Sequence, residues 1–313
     1  MPDDDLVSII IPNRNRLTAL FRAVDSALKQ DYDRKEIIIV DDSNDEIHSK
    51  IVSQYKGVDQ VKVIRGDNKG DLAARRKGFY NSNGSYIAFL DSDDLWLTDK
   101  LRLTLKMWEK DPELGLVFDR WSLCTLVGNN LNCIPSNFDF LCKDYGPQDQ
   151  LSSKFAREMW VSMIKAVARK FLPAFHSESM QSMLDQTSAA CQDYMVFNPP
   201  LVYFLLARGN FIHMSSIVTT RKVISSLGGM PLVDPMDYSL SIKISRKYKV
   251  GFVNKTLTLK VLDGDNIRLG LSKRRIVHEL LSITIFKLFN YPITLSMPIL
   301  FHSLIYLKDI LTS

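Results

Sequence analysis

Short apolar runs alternate with segments of helical periodicity along the first 120 residues of the chain. The runs predict strands at residues 6–11, 36–40, 60–64, 86–90 and 114–118, and the segments between them predict helices at 17–28, 47–55, 71–80 and 98–108. Runs that are apolar at nearly every position are typical of strands buried on both faces. This part of the chain is therefore predicted to be an α/β fold, with a parallel sheet covered by helices on both sides.

The pattern changes twice in the remaining residues. Residues 123–208 lack regular periodicity, apart from a helical stretch at 155–171, and we interpret them as a mainly helical or irregular insertion or lid. Residues 271–313 are mostly apolar and predict a helical C-terminal extension. Between these two regions the periodicity returns, and it predicts a strand at 211–219, helices at 221–227 and 234–247, and strands at 250–254 and 257–261.

The C-terminal extension admits two interpretations. Pro292 and Pro298 are among the residues that interrupt it, so no apolar stretch reaches the ~20 residues that cross a bilayer. It is either a pair of helices that pack on the core or an amphipathic segment, residues 273–311, that makes peripheral contact with a membrane. In the second case the basic residues 273–275 would face the lipid headgroups.

Composition narrows the class of protein. The chain has 46% hydrophobic and 24% charged residues, which is typical of a globular protein, and its formal charge of +5 is modest for 313 residues. The basic residues lie in small groups, which favours anionic ligands or an anionic membrane surface over nucleic acid.

The four cysteines form no CxxC pair, so we expect free thiols in a reducing compartment. The acidic N-terminus is unlike a signal peptide, and we expect a cytoplasmic protein.

Polar residues follow three of the predicted strands, at the point where each strand ends. In a parallel sheet these ends lie at one edge, and ligands bind outside that edge. We therefore expect the three loops to converge. The loop residues are Pro12, Asn13, Arg14 and Asn15 after the first strand, Asp41 and Asp42 after the second, and Asp91, Ser92, Asp93 and Asp94 after the fourth.

Several of these carboxylates are open to two interpretations. Asp91 and Asp93 are two residues apart, which in an extended chain directs both side chains the same way and suits one hard cation with its phosphates. They could also belong to a solvated turn. Asp42 could cap the following helix or accept hydrogen bonds from a base or ribose. Asp237 could stabilise the start of a helix through the helix dipole or serve as a general base.

Five segments occur in a characteristic order: VSIIIPNRNR, IIIVDDSND, NKGDLAARRKG, GSYIAFLDSDDLWLTDKL and PMDYSLSIKISRKYKVGFV. Together they resemble the successive motifs of family 2 glycosyltransferases, over residues 6–120 and 209–270. The resemblance implies a GT-A fold, which is a Rossmann-like, mostly parallel sheet flanked by helices. It also implies a nucleotide-sugar-binding half at 1–122, the insertion at 123–208, an acceptor and catalytic part at 209–270, and the extension at 271–313.

The resemblance also implies roles for the candidate residues. Asp42 would recognise the base, usually uracil, Arg75 would lie in the helix that closes over the nucleotide, and Asp91 would lie near the ribose. The residues that would contact the nucleotide are Pro12, Asn13, Arg14, Asn15, Asp42, Arg75, Asp91 and Ser92. Asp93 would bind the Mn²⁺ or Mg²⁺ that bridges the diphosphate, and Asp237 would be the general base of an inverting transfer. The partners would be a nucleotide-sugar donor and a saccharide or glycolipid acceptor.

The chain departs from the family pattern at three places. Met236 replaces a common Glu, Arg76 replaces an Asn, and the segment DGDN at 263–266 stands where many members have a His three residues before an Asn. Asp263 or Asp265 could substitute for that His. These departures leave open a non-catalytic module that binds a sugar nucleotide. Nucleotidyl transfer would require a glycine-rich basic loop after the first strand, and residues 12–16 contain no glycine. A phosphatase would require a DxD motif after the first strand, whereas the DxD motif of this chain follows the fourth.

Overall fold

The structure is a computed structural model, and it describes residues 6–127, 130–135, 193–199, 201–206, 210–232 and 235–262. One mixed sheet contains the strands β1 Val7–Asn13, β2 Lys35–Asp41, β3 Val61–Arg65, β4 Tyr86–Phe89, β5 Asp94–Trp96, β6 Leu114–Val127, β7 Asn130–Pro135, β8 Tyr194–Phe197, β9 Val218–Thr220 and β10 Lys249–Leu262. The helices are α1 Leu17–Leu28, α2 Asp45–Gln54, α3 Asp71–Tyr80, α4 Lys100–Lys110, α5 Leu201–Leu206, α6 Arg221–Ser226 and α7 Met236–Ser245, with a 3₁₀ turn at Met214–Ser216.

The sheet has the strand order β3-β2-β1-β4-β9-β6-β10-β5. The first four strands of this order run parallel to one another, and β6 is parallel to β10. The short strand β9 runs antiparallel between β4 and β6, and β5, β7 and β8 are antiparallel additions. The prediction of a mostly parallel sheet flanked by helices is confirmed.

The apolar runs are continuous because both faces of the sheet are buried. In β1, Ile9 and Ile11 pack into the cluster that contains Leu20 of α1, whereas Ile10 between them packs into the opposite cluster with Phe89. Successive side chains of a strand point to opposite faces, so a strand covered on both faces needs apolar residues at every position. Polar groups of such strands therefore lie mainly at the strand ends, where the loops begin.

The structure differs from the predicted elements in the second half of the sheet. The predicted strand at 211–219 is a 3₁₀ turn followed by the three-residue strand β9. The two predicted strands after 250 are one strand, β10, whose pairing with β6 is irregular between Val253 and Thr258. That irregularity interrupts the apolar pattern, which explains why the sequence indicates two strands. The strand β5 was not predicted because it is only three residues long and lies within the acidic loop.

Several predictions concern residues 123–313, where the description is partial. The described parts of 123–208 are the end of β6, the strands β7 and β8, and α5, all of which extend the sheet or its core. The predicted helix at 155–171, the candidates Asp263 and Asp265, and the C-terminal extension with its membrane contact lie outside the described residues. The division of the chain into four parts stays a prediction. No helix in the described part of the chain is long and apolar enough to cross a membrane.

The expectation of free thiols is wrong for one pair of cysteines. Cys124 of β6 and Cys133 of β7 form a disulfide, with their Cα atoms 4.0 Å apart. The two residues are nine positions apart in sequence, so they carry no CxxC signal, but the β6–β7 hairpin places them directly opposite each other. Cross-strand pairing, which depends on hairpin register, therefore decides this bond. Cys142 and Cys191 lie outside the described residues.

Candidate active site

The loops after β1, β2 and β4 meet at one edge of the sheet, as the sequence predicts. The Asp42 backbone N–H donates to the carbonyl of Asn13 at 2.8 Å, and the Asn15 N–H donates to Ser43 Oγ at 2.8 Å. Both contacts join the first loop to the second. Arg16 joins the first loop to the third, because its Nη1 lies 2.5 Å from an oxygen of Asp93.

Asp41 is the internal anchor of this edge. Its carboxylate is fully buried and accepts hydrogen bonds from Asn13 Nδ2 at 2.8 Å and from Ser43 Oγ at 2.5 Å. His48 Nδ1 lies 2.7 Å from its other oxygen. Asn13 ends β1 and Ser43 lies in the loop after β2, so the Asp41 carboxylate holds the first two loops together.

Asp42 lies beside the loop after β3. Its Oδ1 accepts the backbone N–H of Asn68 at 2.8 Å, and a Cβ placed on Gly66 would lie 1.9 Å from the same oxygen. The glycine is therefore needed for this close approach. Asn68 and Asn15 both have φ of 55°, a left-handed conformation that costs free energy for a residue with a side chain. Backbone strain of this kind often marks functional loops.

The acidic loop after β4 is compensated mainly by two guanidinium groups. Arg75 of α3 donates from Nη2 to Asp91 at 2.6 Å, and Arg16 contacts Asp93. The side chains of Asp91 and Asp93 remain 24% and 18% exposed, so a ligand could still reach them. The Nε of Arg75 is buried and has no hydrogen-bond partner among the described residues. A buried N–H without an acceptor is costly, which indicates that Arg75 is arranged for an anionic ligand.

The third acidic residue of the loop, Asp94, is tied to the turn before β9. Ser215 donates from Oγ to Asp94 at 2.6 Å and accepts the backbone N–H of Asp91 at 3.0 Å. The Val261 N–H of β10 lies 3.3 Å from the other oxygen of Asp94, and His213 Nδ1 lies 3.5 Å from the first. A buried serine therefore sets the spacing of the acidic loop.

The charges at this edge shift the pKa values of the loop residues in opposite directions. Burial raises the pKa of Asp94 well above its usual value, and the nearby Asp91 and Asp93 carboxylates raise it further. Burial also opposes ionisation of Asp91, but Arg75 and then His213 overcome this effect and lower the pKa of Asp91. Burial lowers the pKa of His213 to about 4, with a contribution from Lys260, so its imidazole is neutral at pH 7.

Three of these groups could hold a metal ion. One ligand atom from each of Asp91, Asp94 and His213 lies within 4.8 Å of the others. Carboxylate oxygens are ligands that Mg²⁺ and Mn²⁺ prefer, and the neutral imidazole adds a nitrogen donor. Asp93, the predicted metal ligand, is turned toward Arg16 and is not one of the three. His213 was missed by the sequence reasoning, since a single His in a presumed strand carries no spacing signal.

Asp237 lies in the first turn of α7 and belongs to the same electrostatic site. Its Oδ1 accepts the backbone N–H of Tyr238 at 2.7 Å. Burial raises the pKa of Asp237 to about 6, against the lowering effects of the Tyr238 N–H, the Asn210 side chain and Arg75. The charges of Arg75 and Asp91 also act on the pKa of Asp237, so this carboxylate lies within electrostatic reach of the acidic loop.

The remaining candidates differ in exposure. Pro12 and Asn13 are the last two residues of β1 and both are buried, Asn13 against Asp41, whereas Arg14 and Asn15 are exposed on the loop that follows. Ser92 is 4% exposed and lies within the acidic loop. Met236, which stands where a Glu is common, is buried in the apolar cluster on one face of the sheet. A side chain in that position contributes to packing and does not reach the edge.

Comparisons with known proteins agree with this geometry. Residues 8–130 match the family model described as Glycosyl transferase family 2. An uncharacterized glycosyltransferase of Rickettsia felis is 40% identical to the chain over 108 residues, which cover 34% of this chain and 18% of the relative. The Escherichia coli UDP-Glc:alpha-D-GlcNAc-diphosphoundecaprenol beta-1,3-glucosyltransferase WfgD is 35% identical over 111 residues, covering 35% of this chain and 43% of that protein.

The likeness in fold extends beyond the matched segment. The crystal structure of S. aureus TarS 1–349 in complex with UDP-GlcNAc aligns with a TM-score of 0.53 and 14% identity, covering 98% of this chain and 71% of that one. This likeness, with the sheet order, establishes the GT-A fold. The chain spans less than half the length of the two relatives named above.

Proposed function

We propose that the chain is an inverting glycosyltransferase that moves a sugar from a UDP-sugar donor to a hydroxyl group of a saccharide or glycolipid acceptor. One observation carries the proposal: Asp237, Arg75 and Asp91 interact at the sheet edge where the strand-end loops meet. The relatives named above include an enzyme whose name specifies UDP-Glc, and TarS binds UDP-GlcNAc, which supports a uridine nucleotide. The diphosphoundecaprenol acceptor in the WfgD name supports a role in polysaccharide or glycolipid synthesis.

The donor nucleotide would lie along the loops after β1, β2 and β4. Asp42 would accept an N–H of the base, and the Asn68 N–H that its Oδ1 accepts would hold the carboxylate in position. Arg75 has a buried Nε–H without a partner among the described residues, which suits an oxygen of the ribose or the diphosphate. The exposed residues Arg14 and Asn15 would border the same nucleotide.

The donor set at the acidic loop fits a divalent cation. Asp93 would hold Mn²⁺ or Mg²⁺ as a carboxylate ligand after turning from Arg16, and Asp91, Asp94 and His213 form the neighbouring group of candidate ligands. Bound there, such an ion stabilises the charge that develops on the departing diphosphate. Arg75 would neutralise part of the same charge from the side of α3, since its guanidinium already lies against Asp91. Whether Asp263 or Asp265 also contributes stays a prediction.

Asp237 would accept the proton of the acceptor hydroxyl. A base with a pKa of about 6 is ionised at neutral pH and still has useful affinity for a proton. As the proton moves to Asp237, the acceptor oxygen attacks the anomeric carbon opposite the diphosphate, and the bond from that carbon to the diphosphate breaks. The anomeric configuration is inverted because bond formation and bond cleavage occur on opposite sides of the carbon.

The place of action follows from the proposed acceptor. A glycolipid acceptor is held in a membrane, so we propose that the chain acts peripherally on the inner face of a membrane; in the reducing cytoplasm the Cys124–Cys133 disulfide would be an exception. The WfgD name includes a diphosphoundecaprenol acceptor, which supports a lipid-linked acceptor for this chain. Residues 273–311 are the segment that we predict to make the membrane contact.

Calorimetric titration of UDP, first with Mn²⁺ and then with EDTA, tests the nucleotide and metal site. We expect Mn²⁺-dependent binding in the wild type and its loss in Asp93→Asn. Asp31→Asn is the matched control, since Asp31 also pairs with an arginine, Arg102 at 2.6 Å, but away from the site. Binding that ignores both Mn²⁺ and Asp93→Asn would contradict the proposed metal ligand. Metal-dependent UDP binding without sugar transfer to any lipid-linked or saccharide acceptor would favour a non-catalytic binding module.

A further inference from the structure

The two arginines that compensate the acidic loop are held very differently. Arg75 has a side chain only 10% exposed, lies within the body of α3, and is also attracted by Asp71 and Asp237. Arg16 has a side chain 29% exposed and lies immediately before α1, so solvent reaches its guanidinium more readily. A guanidinium with this exposure can exchange its carboxylate partner for another anion at little cost, because water screens the ion pair.

The ion pair with Arg16 also helps to direct the Asp93 side chain. Its Nη1 lies 2.5 Å from Asp93 Oδ2, whereas Asp91, Asp94 and His213 already have their ligand atoms within 4.8 Å of one another. For Asp93 to join that group, its carboxylate must leave Arg16. A guanidinium and a divalent cation at the same carboxylate oxygen would repel each other strongly, so one displaces the other.

We propose that Arg16 is an exchangeable counter-ion of Asp93, which leaves the carboxylate for the donor diphosphate when a divalent cation binds. This inference rests on the proposed function and deepens it, because it makes Arg16 the residue that couples metal binding to nucleotide binding. In the absence of nucleotide, Arg16 competes with the metal. In its presence, the diphosphate gives Arg16 a new partner and the competition ends.

The position of Arg16 suits a phosphate as its second partner. Arg16 is the N-cap residue of the 12-residue helix α1, which has no side-chain cap and no acidic residue in its first turn. The first turn of a helix attracts anions through its free N–H groups and its dipole. A guanidinium beside it adds a planar, multiple hydrogen-bond donor that matches phosphate oxygens. Arg16 also adjoins Asn15, which borders the predicted nucleotide pocket.

Thermodynamic linkage turns this exchange into a measurable quantity. If Arg16 leaves Asp93 for the diphosphate, UDP must tighten Mn²⁺ binding, and Mn²⁺ must tighten UDP binding by the same factor. Replacing Arg16 with Gln removes the competitor, so Mn²⁺ alone should bind about 5-fold more tightly, the scale set by a partly exposed ion pair. The same change removes a phosphate partner, so UDP should bind more weakly in the presence of Mn²⁺.

The test is titration of Mn²⁺ by electron paramagnetic resonance, with and without UDP, on wild type, Arg16→Gln and Arg102→Gln. Arg102→Gln is the matched control, because it removes an arginine from an aspartate pair outside the site. We expect Arg16→Gln to tighten Mn²⁺ alone and to reduce the UDP-dependent enhancement about 5-fold or more. Arg102→Gln should leave both quantities at the wild-type values.

Two results would overturn the inference. If Arg16→Gln leaves Mn²⁺ affinity and its enhancement by UDP unchanged while Asp93→Asn abolishes Mn²⁺ binding, the metal site stands and only the role of Arg16 is wrong. If Mn²⁺ binding survives Asp93→Asn, the proposed ligand is wrong and the exchange at Arg16 is wrong with it. Thermal unfolding of each variant checks that the altered affinities do not arise from loss of fold.

Discussion

Replacement of Asp237 by Asn removes the proposed base while it keeps the size of the side chain. An amide cannot take the proton of the acceptor hydroxyl, and a positioned general base contributes about 10²–10⁴-fold to a rate. We therefore expect kcat to fall by that factor, which corresponds to about 2.7–5.4 kcal/mol of transition-state stabilisation. UDP binding should change little, because the proposed nucleotide contacts come from the other loops.

The pH dependence provides an independent measure of the same group. With a pKa of about 6, Asp237 is mostly ionised at pH 7 and mostly protonated at pH 5. The pH profile of kcat/KM reports groups of the free enzyme. On its acidic side, kcat/KM should begin to decrease near pH 6 and fall about tenfold for each pH unit below that. The Asn210 side chain lowers the pKa of Asp237 through a hydrogen bond, so Asn210→Ala should raise this pKa. We expect the midpoint of the acidic decrease to move to higher pH by about 0.5–1 unit, which corresponds to the free energy of one modest hydrogen bond.

The assay is transfer of radiolabelled sugar from UDP-sugar donors, with product separated from donor between pH 5 and 8. An Asp237→Asn enzyme within tenfold of the wild-type kcat would refute the assignment of the base. An acidic limb that Asn210→Ala leaves in place would show that another group controls it. Calorimetric UDP affinity of both variants separates a loss of chemistry from a loss of binding.

Two further predictions concern the support of the site. Gly66→Ala should weaken UDP binding at least about tenfold, because the new Cβ would lie 1.9 Å from Asp42 Oδ1 and must displace the carboxylate. The affinity is measured by calorimetry. An unchanged affinity would show that Asp42 does not contact the base. Lys100→Met should lower the free energy of unfolding by about 3–5 kcal/mol at pH 8, since it leaves the buried Asp119 without its ion-pair partner. Burial raises the pKa of Asp119 to about 6, so its charged form is disfavoured in the fold and the loss should be smaller at pH 5 than at pH 8 in urea unfolding. Lys100→Met with Asp119→Leu should recover most of that stability, and failure to do so would point to lost packing.

The strands at the start of the chain could be predicted because their signal is local. Ile9, Ile10 and Ile11 are buried on alternate faces of the sheet, so the apolar run itself indicates a doubly covered strand. The polar residues that end these strands likewise predict the binding edge, since parallel strands must present their carboxyl ends together. Asp42, Asp91 and Asp93 were found in this way, and the structure places all three on that edge.

The partners of those residues could not be predicted in the same way. Arg16 and Asp93 are 77 positions apart, and Ser215 and Asp94 are 121 positions apart. Contacts at such separations depend on which strands become neighbours, and β9, which adjoins β4 from the far part of the chain, is only three residues long. Nothing in the local pattern of 213–216 indicates that this turn lies against the acidic loop.

The sequence alone thus determined the α/β class, the strand ends that carry the acidic loops, and the family resemblance, because each depends on residues close together in the chain. Only the tertiary structure decided which groups stabilise the acidic loop. Arg75 pairs with Asp91, Arg16 pairs with Asp93, and Ser215 donates a hydrogen bond to Asp94. It also decided the Cys124–Cys133 disulfide, through the hairpin register. The physical reason is common to these contacts: strand order and register bring the groups together, and both are properties of the whole sheet.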